Sequence, residues 1–152
     1  MNDPISDLLT QLRNANQVEK TEISVPHSRI KADIVSKDAT EQEGLRVLLN
    51  LGHTIGHAIE ECCGFTLRHG ECVSLGLVAA CRLSHRLGML DTASVERVER
   101  LLIRFSLPTR LEDPIDPDRI LAAMRNDKKA RGGSPHFVLL EGIGRPVVRG
   151  DI

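Results

Sequence analysis

The chain has 152 residues, of which 41% are hydrophobic, and this is enough apolar material to bury one core. Its 20 basic and 21 acidic residues leave a net charge of −1, which gives no electrostatic reason to expect nucleic-acid or membrane binding. Since no apolar run reaches the length of a membrane span and the N-terminus lacks the order of a signal peptide, we expect a cytoplasmic protein.

Residues 1–29 are predicted to form a short leader that contains one helix and one strand. Asp3 is a candidate N-cap with proline after it, and apolar residues then recur at helical spacing to about residue 15. The alternating run Glu22–Val25 predicts a strand. Residues 1–35 resemble the start of ribosomal protein eight of the small subunit but lack that family's C-terminal half, which makes most of the RNA contact. We therefore interpret the segment as a fused leader and do not expect it to bind RNA.

The central segment, residues 44–71, contains a row of polar side chains at helical spacing. Read as one helix, it places four polar side chains at i, i+4, i+7 and i+11, within an arc of roughly 60°. These residues are Arg46, Asn50, His53 and His57. Gly52 and Gly56 lie on the flank of this helix, where another backbone can come close. Because such a polar row is costly to bury without a partner, we expect it to bind something.

A third histidine, His69, follows a Cys-Cys-Gly bend and precedes Gly70 and Glu71. Two histidines one helical turn apart, joined by a more distant third, can hold one metal ion with an open coordination position. The alternative is chance pairing among the six histidines of the chain. The residue after His53 is not Glu, which argues against a zinc peptidase of the HExxH type.

Residues 71–87 are apolar on almost every side and predict a buried helix. We expect Gly76 to pack against Gly52 and Gly56, His69 to lie at the start of this helix, and Gly88 to end it. The cysteines at 62, 63, 72 and 81 do not have the spacing of a secreted disulfide framework, and we expect reduced thiols at helix interfaces.

Two more helices and a β-hairpin are predicted in the remainder of the chain. The third helix starts at Asp91 or Thr92 and ends before Pro108. Its predicted core stripe is Val95, Val98, Leu101, Leu102 and Phe105. The fourth helix starts at Asp116 and Pro117, and its predicted inward residues are Ile120, Leu121 and Met124. Residues 137–140 and 145–149 predict two short strands.

The runs LRVLLNLGHTIGHAIE (45–60) and LRHGECVSLGLVAA (67–80) resemble the metal-binding half of the 3-dehydroquinate synthase family. Asp127-Lys128-Lys129 and residues 137–144 also match that family, and the likeness extends over roughly 30–149. It implies a mainly α fold, a multi-helix bundle over residues 30–152 with the short leader before it and a small β appendage at the C-terminus. One departure is Ser106-Leu107-Pro108, where the family usually has Gly-Leu-Pro.

The resemblance also implies roles for individual residues. His53 and His69 correspond to ligands of a divalent metal, Zn²⁺ or Co²⁺. His57 corresponds to a substrate-contacting residue rather than a third ligand, and Arg46 and Asn50 to substrate and phosphate contacts. One of Lys128 and Lys129 matches a lysine that reaches the substrate, and we assign this role to Lys128. Lys31 matches a second such lysine, although the ribosomal family also has a lysine at this position. No residue of this chain is predicted to bind NAD.

The activity implied by the resemblance is that of a phosphate-eliminating carbon–oxygen lyase of the shikimate pathway. It converts a seven-carbon keto acid phosphate to 3-dehydroquinate and regenerates its NAD in each turnover. Glycerol-type dehydrogenases and cyclitol synthases share the helical domain, but the LNxGHT and HGE runs favour dehydroquinate synthase.

Members of the family also carry an N-terminal NAD-binding domain that supplies a glutamate ligand, and no glycine-rich turn follows a strand in this sequence. The alternative is therefore a catalytically silent truncated or chimeric fragment that keeps a partial metal half-site. A homodimer and a complementing NAD-binding chain are the two partners that this leaves open, besides the small-molecule phosphate substrate.

Overall fold

The computed structural model describes residues 45–131 and 136–150, and the predicted leader helix and strand lie outside them. A 3₁₀ helix, Leu45–Asn50, comes first, and four α-helices and two strands follow it. The helices are α1 (His53–Cys62), α2 (His69–Arg86), α3 (Thr92–Arg104) and α4 (Pro117–Arg131), and the strands are β1 (Phe137–Gly142) and β2 (Arg145–Arg149). The predicted mainly helical fold with a small β appendage is confirmed.

The expectation of one continuous helix through the polar row is wrong. The 3₁₀ helix ends at Asn50, and α1 begins only at His53. Between them, Gly52 has φ +79°, a left-handed conformation that cannot continue a right-handed helix and that favours glycine. Asn50 therefore belongs to a different element from His53 and His57.

α1 packs closely on α2 through three glycines, as predicted. A Cβ atom on Gly76 would clash with the carbonyl oxygen of Gly52 and would lie 2.7 Å from the backbone nitrogen of Gly56. A Cβ atom on Gly56 would lie 3.0 Å from the carbonyl oxygen of Cys72. The two backbones are therefore in direct contact, and this contact fixes the position of α1 relative to the start of α2.

α2 and α3 end in the same way. Gly88 has φ +71°, and the amides of Gly88 and Met89 donate to carbonyl oxygens of the last turn of α2, which is a Schellman motif. At the end of α3 the left-handed residue is Ser106, with φ +56°. Its amide and that of Leu107 make the equivalent bonds. Ser106 is the residue that stands where the resembled family usually has glycine. Its left-handed φ is a conformation that glycine adopts more easily than serine does.

The residues predicted to face the core are buried or partly buried in α3, but only some of those predicted for α4 are. Val95, Val98 and Leu102 of α3 are buried. In α4, Ala123 and Met124 are buried, whereas Leu121 is 47% exposed, so the prediction that Leu121 faces inward is wrong. Residues 120, 123 and 124 share one helical face, and 121 lies about 100° round from 120.

The two strands form an antiparallel hairpin in which Val138 pairs with Val148 and Leu139 with Val147. The hairpin packs on α2 and on the 3₁₀ helix. Ser84, fully buried in α2, donates its hydroxyl hydrogen to the Ala80 carbonyl at 2.8 Å and accepts the Leu140 amide at 3.0 Å. This bond ties the hairpin to the helix. Within the described residues, no helix has the length and apolarity to cross a membrane.

Candidate metal centre

Three histidines meet where α1 passes the first residue of α2. His53 and His57 lie one turn apart on α1, with ring centroids 5.6 Å apart. His69 is the first residue of α2, and its ring centroid lies 5.7 Å from that of His53 and 5.5 Å from that of His57. The three imidazoles form a nearly equilateral triangle, which we call the histidine cluster. The structure thus places His69 opposite His53, as the sequence predicts.

Glu60 joins this cluster, and the sequence analysis did not single it out. Its Oε2 lies 3.0 Å from Nδ1 of His69. The Glu60 side chain is 19% exposed and that of His69 is 46% exposed. Glu60 follows His57 at i+3, so it lies on the same helical face, and this spacing was the signal available in the sequence.

The residues of the cluster suit a divalent transition metal. Potential ligand atoms of His57, Glu60 and His69 all lie within 4.8 Å of one another. Imidazole nitrogens with a carboxylate oxygen are a donor set that zinc and cobalt accept. His53 Nδ1 lies 3.3 Å from the Leu51 carbonyl oxygen, which can accept a hydrogen bond from that nitrogen when it is protonated. Among the described residues, the group that meets the 4.8 Å distance is His57, Glu60 and His69, so the donor set suits a divalent ion at this point of α1 and α2. His53 is not part of that group, and the assignment of His53 as a ligand and of His57 as a substrate contact stays a prediction.

The structure does not show the four other predicted site residues beside the histidine cluster. Asn50 is exposed at the end of the 3₁₀ helix. Arg46 belongs to the same 3₁₀ helix and Lys128 to α4, but their side chains lie outside what the structure describes. Lys31 lies outside the described residues altogether. The roles of these four residues stay predictions.

Three of the four cysteine thiols have raised pKa values, chiefly because they are buried. Burial raises the pKa of the Cys72 thiol to about 11, with the nearby Glu60 carboxylate adding to the effect. Burial raises the pKa of Cys81 to about 12 and also raises that of Cys63. All four cysteines lie in the described part of the chain, and no disulfide joins any of them. Cys72 and Cys81 pack as small apolar side chains, as predicted.

Comparison with solved structures supports the same architecture. The chain aligns with a 2-epi-5-epi-valiolone synthase from Streptomyces hygroscopicus subsp. jinggangensis 5008, solved with NAD⁺ and Zn²⁺ bound, at a TM-score of 0.68 and 25% identity. This match covers 97% of the chain and 43% of that protein. A 2-deoxy-scyllo-inosose synthase, solved with carbaglucose-6-phosphate, NAD⁺ and Co²⁺, shares the fold at a TM-score of 0.71 and 22% identity, over 96% of the chain and 47% of that protein.

Sequence comparison identifies the family. The family model described as 3-dehydroquinate synthase C-terminal matches residues 3–130. The 3-dehydroquinate synthase of Coxiella burnetii (strain Dugway 5J108-111) is 47% identical over 126 residues, and that of Bradyrhizobium diazoefficiens is 47% identical over 134. Each match covers 82% of the chain and 35% of the relative, so the chain spans about a third of the length of these relatives. The chain therefore belongs to the 3-dehydroquinate synthase family and corresponds to its C-terminal domain.

Proposed function

We propose that this chain is the metal- and substrate-binding part of a 3-dehydroquinate synthase. The reaction would convert a seven-carbon keto acid phosphate to 3-dehydroquinate, eliminate phosphate and use NAD catalytically. The observation that carries the proposal is the convergence of His53, His57 and His69 at one point, in a chain 47% identical to such synthases.

In this proposal, His53 and His69 hold Zn²⁺ or Co²⁺. The bound ion would act as a Lewis acid that polarises the reacting hydroxyl and carbonyl. His57, half-buried beside the two proposed ligands, would donate a hydrogen bond to a substrate oxygen and so orient the substrate beside the ion. NAD is the cofactor proposed for the complete enzyme, as in the neighbouring synthases solved with NAD⁺.

The remaining predicted contacts would hold the anionic groups of the substrate. Arg46, Lys128 and Lys31 carry cationic side chains that suit phosphate and carboxylate. Asn50 offers an amide that can donate to either group. Preorganised donors of this kind stabilise charge that develops as phosphate leaves. Asn50 ends the 3₁₀ helix and the proposed ligand His53 begins α1, so the two residues belong to different elements.

Zinc titration by calorimetry tests the metal assignment. We expect the chain to bind one zinc ion, and His53→Ala and His69→Ala each to weaken binding by more than about 100-fold, because a lost ligand removes several kcal/mol. His136→Ala is the matched control, since His136 is an exposed histidine outside the cluster. Zinc binding that is unchanged in both cluster variants would refute the proposal.

A phosphate-release assay tests the activity. With the keto acid phosphate, NAD and zinc, we expect no turnover by the 152 residues alone. Addition of a separately produced NAD-binding chain of the family is expected to give NAD-dependent phosphate release that the His57→Ala variant does not support. Turnover by the 152 residues without such an addition would contradict the expected dependence on a second chain.

A further inference from the structure

We propose that Glu60 is a positioning residue for His69: its carboxylate accepts the Nδ1 hydrogen and so presents Nε2 of His69 to the metal ion. This inference rests on the proposed function, because it assigns a role at the same site. It concerns a residue that neither the polar row nor the three-histidine pattern includes.

The contact that supports this role joins two helices. Glu60 is at the end of the second turn of α1, and His69 is the first residue of α2. Their Oε2 and Nδ1 atoms are 3.0 Å apart, a direct hydrogen-bond distance. His69 is the more exposed of the pair, at 46% against 19% for Glu60. The more buried partner therefore restrains the more exposed one, and an imidazole that would otherwise rotate is held against α1.

Restraint of the His69 ring matters because the two nitrogens of an imidazole have different roles. A neutral histidine carries its hydrogen on one ring nitrogen, and the other nitrogen is the metal ligand. A carboxylate that accepts from Nδ1 fixes the tautomer, orients the ring and makes Nε2 more basic. Since the His69 ring lies 5.7 Å from that of His53 and 5.5 Å from that of His57, a fixed Nε2 serves an ion held among the three rings.

The alternative role for Glu60 is that of a direct metal ligand, and this role predicts a different effect of substitution. Its carboxylate is close enough to His57 and His69 to act as a direct ligand, since their ligand atoms lie within 4.8 Å of one another. A direct zinc ligand depends on the charge of its oxygen, because a neutral amide oxygen binds zinc much more weakly than a carboxylate does. A residue that acts by fixing the tautomer and the ring orientation needs only a hydrogen-bond acceptor. Glutamine keeps the acceptor and removes the charge, so Glu60→Gln and Glu60→Ala together distinguish the two roles.

The experiment combines two measurements on the wild-type chain, Glu60→Gln, Glu60→Ala and the control Glu61→Ala, an exposed neighbour on the same helix. The first is ¹⁵N NMR of the metal-free chain at about pH 8, above the ordinary pKa of histidine. We expect the Nδ1–H tautomer of His69 in the wild type, Glu60→Gln and the control, and a mixture in Glu60→Ala. Circular dichroism verifies that each variant is folded.

The second measurement is zinc affinity by calorimetry. We expect Glu60→Ala to bind zinc about 10–100-fold more weakly, and Glu60→Gln and the control to stay within about threefold of the wild type. Equal, large losses in Glu60→Gln and Glu60→Ala would show that Glu60 is a ligand and overturn the proposal. An unchanged Glu60→Ala would overturn it as well.

The two measurements also separate this proposal from the proposed function. A wild-type chain that holds the Nδ1–H tautomer but binds no zinc would refute the metal-binding function and leave the Glu60–His69 bond established. Zinc binding without a tautomer preference would refute the role of Glu60 alone.

Discussion

Gly76→Ala tests whether the backbone contact between α1 and α2 builds the metal centre. The added Cβ would lie 2.7 Å from the nitrogen of Gly56 and still closer to the oxygen of Gly52. An ordinary contact begins near 3.4 Å, so the helices must separate by at least about 0.7 Å. Both obstructing atoms belong to the backbone, so no side-chain rotation can relieve the clash.

The expected cost of this substitution follows from two opposing effects. Overpacking a core contact costs typically about 1–3 kcal/mol, and we expect the upper part of that range because the helices themselves must move. Alanine regains up to about 1 kcal/mol of helix propensity. The net loss is about 2 kcal/mol, which lowers the urea midpoint by about 1 M for a domain of this size. The same displacement moves His69 away from His53 and His57, and we expect zinc affinity to fall by about tenfold.

Urea unfolding followed by circular dichroism measures the stability, and calorimetry measures the zinc affinity. Gly88→Ala is the control, because Gly88 has φ +71° and nothing within 4 Å of the added atom. It should cost about 1–2 kcal/mol of backbone strain and leave zinc affinity unchanged. If Gly76→Ala matches the wild type in both measurements, the glycine contact does not position the histidine cluster.

Three further predictions concern stability. Ser84→Ala removes the buried acceptor of the Leu140 amide and should cost about 1–3 kcal/mol in urea unfolding, with faster hydrogen exchange at that amide; an unchanged exchange rate would contradict the bond. Ser106→Gly should raise stability by about 0.5–1 kcal/mol, since it relieves φ +56°, and a loss in thermal unfolding would contradict this. Burial raises the pKa of Cys72 to about 11 and of Cys81 to about 12, so above pH 9.0 the unfolded chain loses these protons first and stability falls as pH rises. Each thiol contributes a slope of up to about 1.4 kcal/mol per pH unit, and Cys81→Ala should flatten the measured profile.

The helices and the hairpin could be predicted because each has a local cause in the sequence. Apolar spacing defines the buried face of α3, and Asp91 caps it by accepting the Ser94 amide at 2.6 Å. The family motifs predict that His53 and His69 belong to one site. In each of these cases, neighbours along the chain or a specific motif carry the information.

The misjudged features depend on contacts between elements. Helical spacing alone runs through Gly52, whereas the structure breaks the helix there with a φ of +79°. A Cβ atom on Gly52 would lie 2.8 Å from the Leu77 nitrogen, a contact between elements that the spacing does not reveal. Leu121 was expected inward because it is apolar, yet Ala123 fills the inward position. Helical spacing puts Glu60 on the same face as His57, but only the structure shows that the Nδ1 atom of His69 lies 3.0 Å from its Oε2.

The left-handed turn at Gly52 separates Asn50 from the histidines of α1. It divides one short motif between two supports: Asn50 ends a 3₁₀ helix packed on the hairpin, whereas His53 begins a helix packed on α2. A substitution in the hairpin can therefore move Asn50 while the three histidine rings keep their positions. Under the proposed function, a substrate contact could then change without any change in the metal ligands.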